Sequence, residues 1–176
     1  MLVRAATPDD AGAIAAIHVR AWQVAYANIL PAPFLQSLSI SERTGVWQRR
    51  LQEQPVQTYI AEDVSQVVVG WALVGRSRDA SALDTTGELL AIYVEPEHWG
   101  GGAGRALWAR GRTHLADRGC VDATVWVLAD NQRARRFYEA VGFGSQPDAI
   151  RTIEIGGTAV PEVRLRTSLA GAKDTR

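Results

Sequence analysis

The sequence predicts a mixed α/β or α+β fold, a sheet of about six or seven strands flanked by about four helices. Three observations lead there. β-branched and aromatic runs alternate with stretches of helical periodicity; strand, turn and helix follow one another twice in the second half; and no internal repeat or low-complexity tract interrupts the chain. The 176 residues suit a single domain, since domains usually run roughly 100–200 residues and folding at that size removes about 70% of the unfolded surface from water.

Each element has its own signal. Residues 2–6 form a short apolar run that reads as an opening strand. Thr7 then precedes Pro8, with Asp10 close behind: an N-cap, a favoured first-turn proline and an acid at the positive end of a helix. Ile14, Ile17, His18, Ala21, Trp22, Ala25 and Tyr26 follow at the spacing of one helical stripe, which Pro31 and Pro33 interrupt. A second helix is expected after Ser41, through Val46, Trp47 and Leu51 to Gln54 and Pro55. Residues 56–62 and 66–75 read as strands around a polar turn at 63–66. Residues 76–87 read as a loop, and 88–94 as a strong strand stopped at Pro96.

A glycine cluster at 100–104 leads into a helix over 102–118, closed by Gly119. A strand over 121–128, a helix over 131–141 ended by Gly142, and a hairpin of 149–155 with 160–166 around Gly156 and Gly157 complete the pattern. The folded domain is expected over residues 2–168, with a disordered tail over 169–176.

Composition narrows the function. Hydrophobic residues are 47% and charged ones 22%, ordinary for a globular chain. Lys+Arg and Asp+Glu are both 19, so the formal net charge is zero and no nucleic-acid partner is expected. Cys120 is the single cysteine, which excludes an internal disulfide and a cysteine-built zinc site; no metal is expected. The polar turn at Thr7 rules out a signal-peptide stretch, and no apolar run approaches the ~20 residues of a membrane span. The expectation is a cytoplasmic protein.

The clearest chemistry lies where the strand ending at Val94 meets Gly100, Gly101, Gly102, Ala103 and Gly104 before a helix. Glycines let backbone N–H groups approach a ligand, and the helix start adds the positive end of a dipole, so the segment suits a pyrophosphate. A Walker A loop would need a lysine, and the only one is Lys173 in the tail; a dinucleotide fingerprint fails because Arg105 or Leu107 occupies its third glycine position. A second motif, Asn131 to Phe143, follows the next strand. On a helix Asn131, Arg135, Tyr138 and Gly142 share one face and Ala134, Phe137 and Val141 a second, core face.

Together these segments resemble the GNAT superfamily of acyl-CoA-dependent N-acetyltransferases. Val94-x-Pro96 with Gly100, Gly102 and Gly104 is similar to that family's motif A, and Asn131-x-x-Ala134-x-x-Phe137-Tyr138 with Gly142-Phe143 to its motif B. The resemblance implies a mostly antiparallel twisted sheet and acetyl-CoA as co-substrate. It places Ile92, Tyr93, Val94, the loop from Trp99 to Arg105, Asn131 and Tyr138 against that coenzyme. Trp99 stands where the family usually has Arg or Gln, so the loop amides and Arg105 must serve instead.

The resemblance further implies that the strand ending at Val94 splays from the strand beginning near Val121, leaving a gap for the pantetheine arm. It assigns Tyr138 as the acid that protonates the departing thiolate, and Glu88 matches a position where relatives often place a base. An exposed strand-end carboxylate is the bland reading of Glu88. His98 is expected on the loop exterior, His18 and His114 as helix residues without partners, and Cys120 as a small buried residue. Trp22 and Tyr26 are expected to wall the acceptor pocket, with core packing as the alternative. The expected acceptor is a primary amine of a small molecule or peptide, attacked directly in a ternary complex. The alternative is a catalytically silent acyl-CoA sensor or subunit of the same fold, and the composition is compatible with a homodimer.

Overall fold

A computed structural model describes residues 1–53 and 57–170. The expected helix end at Gln54 and Pro55, the start of the next strand at Val56, and the tail 171–176 lie outside those residues. Seven strands form one sheet in the order β1-β2-β3-β4-β5-β7-β6. In chain order the elements are β1 (Leu2–Ala5), α1 (Ala11–Ala25), α2 (Ala32–Gln36), α3 (Ile40–Glu53), β2 (Gln57–Glu62), β3 (Val68–Arg76), β4 (Thr86–Val94), α4 (Ala103–Asp117), β5 (Asp122–Leu128), α5 (Gln132–Ala140), β6 (Gly144–Ile155) and β7 (Thr158–Ser168). Every strand pair is antiparallel except β4 with β5.

The expected N-cap at Thr7 opens a single 3₁₀ turn, Pro8–Asp10, ahead of α1. Asp10 reaches back to the Thr7 amide at 2.7 Å and forms an ion pair with Arg4 at 2.8 Å, tying β1 to the helix entry. Among the described residues there are five helices where about four were expected, because α2 is a separate short helix. Pro33 sits in its first turn, where a missing N–H removes no helical hydrogen bond.

Two apolar layers cover the sheet. On one face α4 packs through Leu107, Trp108 and Leu115 onto Val74, Leu89, Val125 and Leu165, and Tyr138 and Phe143 join the same cluster. Gly111 permits this approach, since a Cβ there would stand 2.8 Å from the Val74 methyl. On the other face Ile14, Ile17, Trp47 and Leu51 of α1 and α3 pack onto Ile60, Trp71 and Leu73. A third cluster joins Leu30 and Leu35 to Leu128 and Val160, with Trp22 and Tyr26 against it.

The functional consequence of this architecture is a split in the sheet. β4 pairs with β5 only from Thr86↔Asp122 to Glu88↔Thr124. Immediately beyond, the register of β4 against β3 steps from Val74↔Leu89 to Leu73↔Ala91, so Leu90 is an extra residue without an opposite number. Such a bulge bends the strand that carries it. β4 therefore leaves β5, the splay that the family resemblance implied.

Candidate active site

The split opens a cavity of about 710 Å³ that passes between the two faces of the sheet. Leu89 to Val94 of β4 and Val125 to Leu128 of β5 form its sides. The glycine loop and α5 line it on one face; Trp22 and Tyr26 of α1, with Arg151, Ile153, Ile155 and Glu162 of the β6–β7 hairpin, line it on the other.

The loop is a turn with amides to spare. Gly100 and Gly102 hold positive φ of 81° and 90°, and a Cβ on either would meet nothing within 4 Å, so both face open space. Gly102 is the N-cap of α4 and makes no side-chain cap; the first backbone bond back into the helix is Ala106 N–H to the Gly102 carbonyl at 3.0 Å. The amides of Ala103, Gly104 and Arg105 precede it and have no intrahelical acceptor. Together with the dipole of a fifteen-residue helix they fit a diphosphate. Gly101 differs from expectation: its amide donates to the His98 carbonyl at 3.2 Å, and it does not line the cavity.

Trp99 lines the cavity and carries two contacts that its sequence position did not reveal. Its indole Nε1–H donates to the Val94 carbonyl at 2.8 Å, pinning the loop to the end of β4. The guanidinium of Arg133, from the first turn of α5, lies 4.1 Å over its ring. A cation thus stands beside the loop, though it comes from α5. His98 faces the cavity rather than the exterior, with its Nδ1 buried and unpartnered among the described residues.

Tyr138 is 6% exposed, far deeper than a phenol at the rim of a surface helix. Phe137 and Phe143 flank its ring, and the hydroxyl makes no hydrogen bond among the described residues while the residue lines the cavity. Burial, reinforced by neighbouring Tyr93, pushes its pKa well above that of an ordinary phenol. The group therefore stays protonated and able to donate. Asn131 also lines the cavity, but its carboxamide oxygen is engaged: it caps α5 by accepting from the Ala134 amide at 3.1 Å.

Ile92 and Val94 point to the α4 face, whereas the Tyr93 side chain points to the α1 face. There it stacks on His18, with ring centres 5.3 Å apart, and its hydroxyl lies 3.3 Å from that of Tyr26. Trp22 meets Tyr26 edge to face at 5.1 Å, so both expected acceptor residues line the cavity and pack at once. His114, expected without a partner, has its Nδ1 3.1 Å from the Tyr59 hydroxyl. Cys120 is buried, and burial pushes its thiol pKa up.

Glu88 stands apart from the reading of it as an open base. It is 1% exposed and does not line the cavity. Its carboxylate accepts from the Arg78 backbone amide at 2.8 Å, from Nη2 at 2.6 Å and from Nε at 3.2 Å. The strand's inward pleat carries it under the β3–β4 loop, where Arg78 closes over it. Among the described residues the carboxylate that does line the cavity is Glu162, which the sequence reading missed: a charged residue alternating with Val163 and Leu165 along a strand reads as solvent-facing.

Among the described residues no cluster of three or more His, Cys, Asp or Glu is placed to hold a metal ion, and no helix is long and apolar enough to cross a membrane.

Residues 18–143 match the sequence profile of the Acetyltransferase (GNAT) family. The chain is 34% identical over 163 residues to the uncharacterized N-acetyltransferase YuaI of Bacillus subtilis, covering 93% of this chain and 90% of that protein. Its fold is similar to that of PaiA N-acetyltransferase from Thermoplasma acidophilum in complex with coenzyme A, with TM-score 0.72, 16% identity and coverage of 95% and 98% of the two chains. It is also similar to YncA from Salmonella typhimurium with its cofactor acetyl-CoA, with TM-score 0.73, 23% identity and coverage of 96% and 94%.

Proposed function

The chain belongs to the acetyltransferase (GNAT) family, and from that premise we propose that it moves an acetyl group from acetyl-CoA to a primary amine of a small molecule or peptide. The observation that carries this reading is the join of two features in one cavity: an amide cradle at Gly102–Arg105 and a buried phenol at Tyr138 on either side of the β4–β5 split.

Bound acetyl-CoA supplies an activated thioester, so no protein nucleophile is required. In this reading the amides from Gly102 to Arg105 hold the diphosphate, with the guanidiniums of Arg105 and Arg133 beside it. The backbone of Ile92 and Val94, along the open edge of β4, pairs with the pantetheine amides. Leu90, the bulged residue of β4, lines the cavity, and in this reading a backbone N–H there stabilises the negative charge that develops on the carbonyl oxygen. The Tyr138 hydroxyl, unpartnered among the described residues in a side chain that lines the cavity, gives its proton to the departing sulfur as negative charge builds there. Glu88 enters as the anchor of Arg78.

The test is calorimetric titration with acetyl-CoA, followed by measurement of free CoA released with a panel of amines. Binding accompanied by amine-dependent release supports the reading. Absence of binding overturns it, and binding with no release from any amine replaces it with a silent acyl-CoA sensor.

A further inference from the structure

On the face away from the glycine loop the cavity carries a different set of charges. Glu162 pairs across the strands with Leu128 of β5 and with Arg151 of β6, and it is 9% exposed. Its Oε2 lies 2.8 Å from both Nε and Nη2 of Arg151, while Oε1 has no hydrogen bond among the described residues. Glu162 is the one carboxylate residue lining the cavity among the described residues, against Arg78, Arg105, Arg133, Arg136 and Arg151.

Two of those arginines stand with it, and both are held in place. Arg78 is fixed to Glu88, yet its side chain remains 62% exposed and its Nη1 has no partner among the described residues. Arg151 lies over Trp126, its guanidinium carbon 4.0 Å from the ring centre. The groups converge. Arg78 holds its proton more firmly than usual, first through the Glu88 hydrogen bond and also through the charge of Glu162. The Tyr26 phenol is pushed up, chiefly by burial and additionally by the same carboxylate.

Arg78 pairs with Glu88 and Arg151 with Glu162, while Asp79 lies 2.8 Å from Arg164 and 3.9 Å from Arg151, so arginines and carboxylates balance on this face before a ligand arrives. A polyamine would bring several positive charges to one acidic group among fixed cations. A simple alkylamine would satisfy Glu162 and leave the free edges of Arg78 and Arg151 facing an apolar chain. A ligand with one positive and one negative group answers both needs.

We infer that the acceptor is a zwitterionic amine of the α-amino acid type, its ammonium received by Oε1 of Glu162 and its carboxylate by Arg78 and Arg151. Trp22 and Tyr26 then wall its side chain. The inference rests on the acetyl-transfer reading above. In the transfer the amine nitrogen bonds to the acyl carbon as the carbon–sulfur bond breaks and its electron pair passes to sulfur. Of the two protons the ammonium loses, one leaves through Glu162 to solvent and the other balances the proton that Tyr138 gives to sulfur.

The experiment is calorimetric binding of the common α-amino acids, each paired with its carboxamide and its decarboxylated amine, to protein saturated with free CoA. Initial rates with acetyl-CoA are measured in parallel. At least one free acid is expected to bind and react at least about 10-fold better than its amide, the value of a bidentate guanidinium–carboxylate contact. Arg78→Gln is expected to collapse that acid-to-amide ratio towards one, and Glu162→Gln to weaken every amine. Because Arg78→Gln leaves Glu88 buried without its partner, the Arg78→Gln/Glu88→Gln double variant is measured too and is expected to show the same collapse. Equal use of acids, amides and decarboxylated amines, or a preference for polyamines, overturns the inference alone. Failure of CoA itself to bind overturns the acetyl-transfer reading, and this one with it.

Discussion

On the glycine-loop face of the cavity the groups aimed at a ligand are backbone amides from one unbroken stretch, Gly102 to Arg105, whereas on the β6–β7 face they are the side chains of Arg78, Arg151 and Glu162, which come from a loop and two strands. The first arrangement survives changes of surrounding side chain and needs only φ near 90° at Gly102 and a helix to follow. The second needs partners: Arg78 is held by Glu88, Arg151 by Glu162 and Trp126. A site made of backbone is set by local conformation. A site made of ion pairs is set by the register of strands far apart in the chain, and in the proposed reading it is the face where acceptor specificity can change without disturbing coenzyme binding.

The phenol on the glycine-loop face gives the largest expected effect. Tyr138→Phe keeps the ring between Phe137 and Phe143 and removes only the hydroxyl, so turnover should fall on the order of 10²-fold. Acetyl-CoA affinity by calorimetry should stay within a few-fold. Unchanged turnover at a saturating amine concentration would remove Tyr138 from the reaction. Since its pKa lies far above neutrality, the wild-type rate should also show no downturn from this group across the neutral and mildly alkaline range.

Gly102→Val tests the backbone face alone. A Cβ at this position meets no protein atom within 4 Å, so the fold should bear the change at a cost of roughly 1–2 kcal/mol for the positive φ. The isopropyl group would fill the cradle, and acetyl-CoA affinity should fall about 10-fold or more, the value of a charge-assisted hydrogen bond or two. Free amino acid binding on the opposite face should change little. Equal losses for both ligands would show that the two faces are not separable.

Glu88→Gln probes the other face through its anchor. The neutral carboxamide loses the ion pair beneath Arg78, and because that arginine is largely exposed the stability loss in urea unfolding should be only about 1–2 kcal/mol. The acidic limb of the pH–rate profile should persist unmoved, since the carboxylate does not line the cavity. Loss of that limb would restore Glu88 as the base.

The same contrast explains what was legible in the sequence. The amide cradle, the strand before it and the capped helix after it are contiguous, so glycine spacing and helical period exposed them together. Tyr138 was legible by motif, but its depth was not, because burial depends on Phe143 folding back from beyond the helix. Arg78 read as part of a polar loop and Glu162 as a solvent-facing strand residue, since only the pairing of β5, β6 and β7 turns that face towards α1. The start of β6 was hidden for a related reason. Gly144 and Ser145 are turn formers by composition, yet they pair with Arg166 and Leu165 ahead of an irregular register step.

On the α1 face of the sheet, beside Trp22 and Tyr93, lies a buried imidazole. His18 is caged by Trp22, Trp71 and Tyr93, and neither ring nitrogen has a partner among the described residues. Burial holds its pKa down at about 3, with the charges of Arg43 and Arg50 adding to the effect. A free histidine titrates near ~6.5, so below that value the unfolded chain binds a proton that the folded protein refuses. The contribution is complete above the unfolded pKa and is lost as pH falls from about 6.5 towards 3, with a slope of at most about 1.4 kcal/mol per pH unit. His18→Leu should flatten that slope in urea titrations between pH 6.5 and 4 without altering stability trends above pH 7. In the wild type, hydrogen exchange on acidification should accelerate in α1 before α4, because His18 sits on α1 and is caged between that helix and its face of the sheet, whereas α4 packs on the opposite face. Simultaneous loosening of both helices would mean that the two faces of the sheet unfold as one cooperative unit and that the caged imidazole does not set the order.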